Sequence, residues 1–206
     1  MSESTLVYKN ILSKYVPANA LEPLIELLCK YPVHIRISKA RRTKLGDYRP
    51  AQKGRPHQIS INHDLNQYSF LITLVHEMAH LVAFEKYGRY IKPHGIEWKT
   101  TYRSLMEPFM ELAVFPEELK LELMKFLKNA KASTFSSTNL GRLIKQYDED
   151  SFAGITVEEL PANTCFRTEN GKEFRLIEKR RRRYKCLNLS NNKYYLFDPL
   201  VQVTPI

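Results

Sequence analysis

The stretch LNQYSFLITLVHEMAHLVAFEKYG, residues 65–88, decides the fold of the first half of this chain. Leu71, Leu74, Val75, Met78, Ala79, Leu81 and Val82 recur at helical spacing and cover a broad apolar arc. Asp64 or Asn66 can cap the start by accepting from the free backbone N–H groups, and Gly88 can close the end. The spacing therefore predicts one long helix held in a core. His76 and His80 fall outside its apolar arc, beside Thr73, where they face a cleft.

Those two histidines belong to His76-Glu77-Met78-Ala79-His80, an H-E-x-x-H pattern. At 3.6 residues per turn, positions i and i+4 stand roughly 40° apart around the axis, so both rings can reach one ion. Imidazole nitrogens bind Zn²⁺ at about 2.0–2.1 Å. Glu77 lies roughly 100° round from His76. That puts it beside the metal, not on it, where it can take a proton from the attacking water and later give it to the leaving amine.

Two histidines do not complete a catalytic zinc site, so a third ligand must come from elsewhere. His94 is the candidate. The helix runs on past His80 by about 12 Å to Gly88, and six extended residues span up to about 20 Å, so the chain can return to the metal. Gly95 follows and permits a close backbone approach. His34, on a polar position of a strand, and His57 and His63, flanking another strand, fit hydrogen-bonding or surface roles better.

Working outward, Leu6 to Tyr31 reads as two short helices interrupted by Pro17 and Pro23. Val33–Ile37 alternates as a half-buried strand, and Gln58–Asn62 should pair with it. Between them lies a basic, proline-containing segment, 39–55, read as a loop or loose hairpin. Ile96 to Phe109 and Pro116 to about Ala130 read as further helices. A linker composition follows, and from Val157 onward come strand-like runs separated by Asn170-Gly171 and Ser190-Asn191-Asn192. The fold class expected is α+β, with a metallopeptidase-type domain over 1–130, a linker over 131–156 and a small basic β domain over 157–206. Phe166, Phe174, Leu176, Tyr184, Tyr194, Tyr195 and Phe197 should hold that last domain together.

Composition narrows the rest. The chain has 206 residues, 43% hydrophobic and 26% charged, ordinary for a globular protein. No apolar run approaches the roughly 20 residues of a membrane span, and the first residues lack the pattern of a secretory signal, so a cytoplasmic location is expected. Cys29, Cys165 and Cys186 are widely spaced and odd in number, which argues for reduced, mostly buried thiols rather than disulfides. The net charge of +10 favours encounters with polyanions. Its densest run is Lys179-Arg180-Arg181-Arg182-Arg183-Tyr184-Lys185, which reads either as a phosphate-contacting stripe on a β ribbon or as a solvated hairpin.

The segment His76-Glu-Met-Ala-His80, with Gly88-Arg89-Tyr-Ile-Lys-Pro-His94-Gly95-Ile-Glu-Trp98-Lys99, resembles the SprT-like zinc metallopeptidase family. That family pairs an H-E-x-x-H helix with a short loop and H-G-x-x-[WF], and the likeness extends more weakly from about Leu6 to Phe109. The resemblance implies a zincin-like domain, one Zn²⁺ on His76, His80 and His94, Glu77 as catalytic base, and Trp98 packed under the third ligand. It also implies a protein substrate, and a link to nucleic acid, because eukaryotic relatives cut proteins crosslinked to DNA. Relatives often end in a four-cysteine zinc ribbon. Here only Cys165 and Cys186 remain, so no second zinc is expected. The alternative function is a non-catalytic metal-containing module that binds nucleic acid or a protein partner.

Overall fold

Alternation of apolar and polar residues produces the first sheet. In the computed structural model, which describes residues 3–41, 43–52, 54–128, 130, 138–148 and 154–206, Val33–Ser38 forms β1 and His57–Asn62 forms β3. The two pair in parallel, and Gly46–Arg49 adds as β2, antiparallel to β3, giving the order β1-β3-β2. The central strand buries Ile59 and Ile61 completely. The described residues form an α+β chain of six helices and two sheets, divided into compact units Met1–Asp148 and Glu149–Ile206.

Of the two readings of 39–55, loop or loose hairpin, the antiparallel pairing of β2 with β3 fits the hairpin. Arg41 explains the order: its Nε donates to Asn62 Oδ1 at 2.7 Å and its Nη1 to Ser60 Oγ at 3.0 Å. The Asn62 amide returns the contact by donating to the carbonyls of Arg41 and Lys44, each at 3.2 Å. A basic segment that looks solvated in sequence is thus pinned along β3 by a guanidinium whose fork matches several acceptors at once.

Helix α1 spans Glu3–Leu12 and α2 spans Leu21–Cys29, joined through a single 3-10 turn at Ala18–Ala20. Pro17 separates them, whereas Pro23 sits in the first turn of α2 and interrupts nothing, since its missing N–H has no partner to lose there. The long helix, α3, spans Gln67–Tyr87. Asn66 is its cap, its side chain accepting from Ser69 N at 2.9 Å, and Gly88 closes it at φ 79°. α4 (Ile96–Glu111) packs along α3 through Trp98, Tyr102, Met106 and Phe109, all buried. α5 (Glu117–Lys128) completes the core with Leu119, Leu123, Phe126 and Leu127.

Part of the stretch read as linker is helical. α6 spans Thr138–Lys145 and buries Leu140 and Ile144 in the core of the first unit; residues 131–137 and 149–153 of that stretch lie outside the described residues. Two apolar residues four apart suffice to bury a short helix, a signal that a composition average hides. No helix among the described residues is long and apolar enough to cross a membrane.

The second unit is a six-stranded antiparallel sheet of order β4-β9-β5-β6-β7-β8. Its strands are β4 Ile155–Thr156, β5 Cys165–Thr168, β6 Glu173–Arg180, β7 Arg183–Asn188, β8 Tyr194–Phe197 and β9 Gln202–Pro205. Phe166, Phe174, Leu176 and Tyr184 form its core with Val157, Cys186 and Val203, and Phe197 packs against them. Tyr194 and Tyr195 lie on the edge strand, 58% and 43% exposed; Tyr195 still meets the core edge-on at Phe174, 5.6 Å between ring centroids, and Tyr194 does not join it. The three cysteines are free, with Cys186 buried and Cys29 exposed, against the expectation of mostly buried thiols.

Candidate metal centre

Helix α3 presents His76 and His80 one turn apart, and the chain brings His94 back to them after Gly88. The return depends on a tight turn in which Gly95 N donates to Lys92 O at 2.8 Å. Pro93 fixes φ at the turn's second position, and His94 takes the third with φ 58°. A Cβ on Gly95 would stand 2.8 Å from Lys92 O, so the residue after the ligand has to be glycine for the turn to close.

Three ring nitrogens converge as a result. His94 Nε2 lies 3.0 Å from His80 Nε2 and 3.3 Å from His76 Nε2. A tetrahedral ion bonded at about 2.0–2.1 Å separates its ligand atoms by about 3.3 Å, so the spacing fits such an ion. Burial pushes the pKa of His76 down to about 3 and that of His80 down to about 4, and it lowers His94 as well. All three imidazoles are therefore neutral at neutral pH, the form that binds a metal. Among the described residues this trio is the cluster of His, Cys, Asp and Glu able to hold an ion.

Trp98 sits fully buried beneath the trio, its ring centroid 4.7 Å from His76, 5.2 Å from His80 and 4.6 Å from His94. Neither its Nε1 nor His76 Nδ1 has a hydrogen-bond partner among the described residues. Glu77 is buried too. Desolvation chiefly, with Asp47 adding, pushes its pKa up to about 7, against the pull of the Tyr48 backbone N–H, Arg41 and Lys44.

The remaining histidines stand apart. His34 and His63 are exposed. His57 is buried in hydrogen bonds: its Nδ1 accepts from Ala51 N at 3.1 Å and meets the Tyr48 hydroxyl at 2.9 Å, which leaves the ring proton on Nε2, 3.1 Å from Glu85 Oε1. The Tyr48 ring in turn lies nearly parallel to His80, 4° between planes and 6.3 Å between centroids. Tyr48, His57 and Glu85 were not singled out as site residues in the sequence. A four-residue strand such as Gly46–Arg49 is too short for alternation to stand out, and the pairing of His57 with Glu85 spans 28 positions.

The basic run of the second unit is split by strand geometry. Lys179 and Arg180 end β6, Arg181 and Arg182 form the turn, and Arg183 and Lys185 lie on β7. Lys179 shares the buried Tyr184's side of the sheet, with Nζ 5.5 Å from that ring. Arg180 donates to Glu178 at 2.8 Å, and Lys185 lies 3.7 Å from the same carboxylate and 4.0 Å from the Tyr194 ring. Arg180 and Arg183 face each other directly across the hairpin. Cys165 pairs opposite Arg175 and Cys186 opposite Leu176, so the two thiols point to opposite faces and cannot share an ion.

Residues 26–119, a stretch that holds His76, Glu77, His80 and His94, match the sequence model of the SprT-like family. No curated protein and no solved structure matches the chain.

Proposed function

We propose that the first unit is a zinc-dependent metalloendopeptidase, with His76, His80 and His94 as metal ligands and Glu77 as general base. The observation that carries this reading is the convergence of three neutral imidazoles, with His94 Nε2 3.0 and 3.3 Å from those of His80 and His76, beside the buried Glu77 of α3. A structural zinc site is normally closed by a fourth protein ligand, whereas a catalytic one keeps three and leaves a position open. A divalent ion bound there supplies Lewis acidity and lowers the pKa of water.

The chain's own groups handle the proton. Glu77, ionised, takes a proton from water as the water oxygen bonds to the scissile carbonyl carbon. When the carbon–nitrogen bond breaks, Glu77 returns that proton to the leaving nitrogen. A site pKa near 7 suits both halves of this exchange better than an ordinary carboxylate does. Glu77→Gln should retain the metal and the fold while cleavage falls by at least about a hundredfold. Equal cleavage by that variant would sink Glu77 as the base, whereas no cleavage by the unmodified, metal-loaded protein would favour a non-catalytic metal module.

A second element of the proposal is that substrates are proteins associated with nucleic acid. It is favoured by Arg180 and Arg183, like charges directly opposed on neighbouring strands, where Glu178 offsets Arg180 from its own strand and an anion bridging both guanidiniums would relieve the rest. With Arg181, Arg182 and Lys185 nearby, a phosphate backbone fits that role. Binding of a labelled single-stranded oligonucleotide should then weaken with salt, by a logarithmic slope of about −0.7 per phosphate contacted. Replacing Arg180 and Arg183 by glutamine should flatten that slope. A flat response from the unmodified protein would remove nucleic acid from the proposal.

A further inference from the structure

Gly46 is a glycine for want of space, not for backbone freedom. It is absent from the residues with positive φ, so its conformation suits any amino acid. A Cβ built on it would lie 2.6 Å from Glu77 Oε1, 2.8 Å from Glu77 Cγ and 2.8 Å from Thr73 Cγ2. Real contacts of carbon with oxygen or carbon do not come that close. Thr73 and Glu77 are one turn apart on α3, so it is this face of the helix that lies against bare backbone at Gly46. Two residues along the strand, the Tyr48 N–H donates to the Glu77 carboxylate. The Tyr48 side chain meanwhile lies over His80 and is tethered through His57 to Glu85. One short strand therefore touches both the glutamate and a metal-site histidine.

We propose that β2 is the seat of Glu77: Gly46 leaves the space its carboxylate occupies, and the Tyr48 N–H holds it there. Gly46 and Tyr48 are thus positioning residues, acting on the reaction through Glu77. This rests on the peptidase reading, in which Glu77 moves the proton. The consequence is specific. A methyl group at position 46 meets the outer atoms of a flexible side chain and a threonine methyl, so the fold accommodates it by displacing the carboxylate. A displacement of about 1 Å in a reacting group can cost a hundredfold in rate.

The test is Gly46→Ala in the full-length, zinc-loaded protein. The expected result is unchanged zinc content and KM, a melting temperature close to wild type, and kcat reduced about a hundredfold. A kcat within twofold of wild type would overturn the inference, because the seat would then tolerate the methyl group. Should Gly46→Ala fail to fold, the Tyr48 amide resonance decides. A charge-assisted hydrogen bond shifts that amide proton downfield, and Glu77→Gln weakens it. The resonance should move upfield in Glu77→Gln by clearly more than those of Asp47 and Arg49, and no difference would overturn the proposal. If the wild-type protein cleaves nothing, the peptidase reading falls while the amide shift still judges the seat.

Discussion

Within the candidate metal centre, His94 has the backbone least at ease. Its φ of 58° is a region that glycine enters freely and other residues enter at a cost of about 1 kcal/mol. The ring's place beside His76 and His80 is therefore obtained at the expense of local strain. In the chelated protein, His94→Gly should be more stable than His94→Ala by about 0.5–1 kcal/mol, since both lose the ring and only glycine relieves the backbone. Denaturant titrations of the pair would show it, and the reverse order would mean the turn opens without the ring. The return of His94 to His76 and His80 was legible in the sequence through loop reach, because eight helical and six extended residues have fixed lengths. The strain was not, because Pro93 and Gly95 reveal a turn while the sign of φ at the residue between them depends on where its ring must go.

At the scale of the element, α3 carries buried polar groups that titrate in opposite directions. His76 and His80, held at about 3 and about 4, take up protons on unfolding below their ordinary value of 6.5, so their contribution is lost as pH falls from about 6.5. Glu77, raised to about 7, releases its proton on unfolding, so its contribution is lost as pH rises from about 4.5 towards 7. Between pH 4.5 and 6.5 the histidines outnumber the glutamate, and the metal-free protein should lose stability on acidification. Glu77→Gln should steepen that loss, which melting curves in a chelator across this range would measure. The helix itself was readable from its apolar arc, and Gly88 from its position after it. What its start also does was not readable: Asn66 caps α3 while its Nδ2 donates to Ile144 O at 3.0 Å, tying on α6. Asn66→Ala should cost about 1–2 kcal/mol in denaturant unfolding, and Asn66→Asp less, because the cap acceptor survives.

For the whole molecule, the two compact units each bury their own apolar cluster. The sequence placed a linker at 131–156 on composition alone, while the turn signals at Asn170-Gly171 and Ser190-Asn191-Asn192 marked only the strands that follow it. It overestimated the second core because tyrosines count as apolar in a pattern, whereas Tyr194 and Tyr195 sit on an edge strand of the sheet and stay largely exposed. The zinc site proposed above draws its ligands from the first unit alone, so added zinc should raise only that unit's unfolding transition, by an amount growing as RT ln(1 + [Zn]/Kd). The chain has a single tryptophan, and it is Trp98, packed against all three imidazoles. Its emission is consequently an optical gauge of the site that no label need supply. Co²⁺ entering between the three rings should quench it, while unfolding of the second unit should leave the emission unchanged.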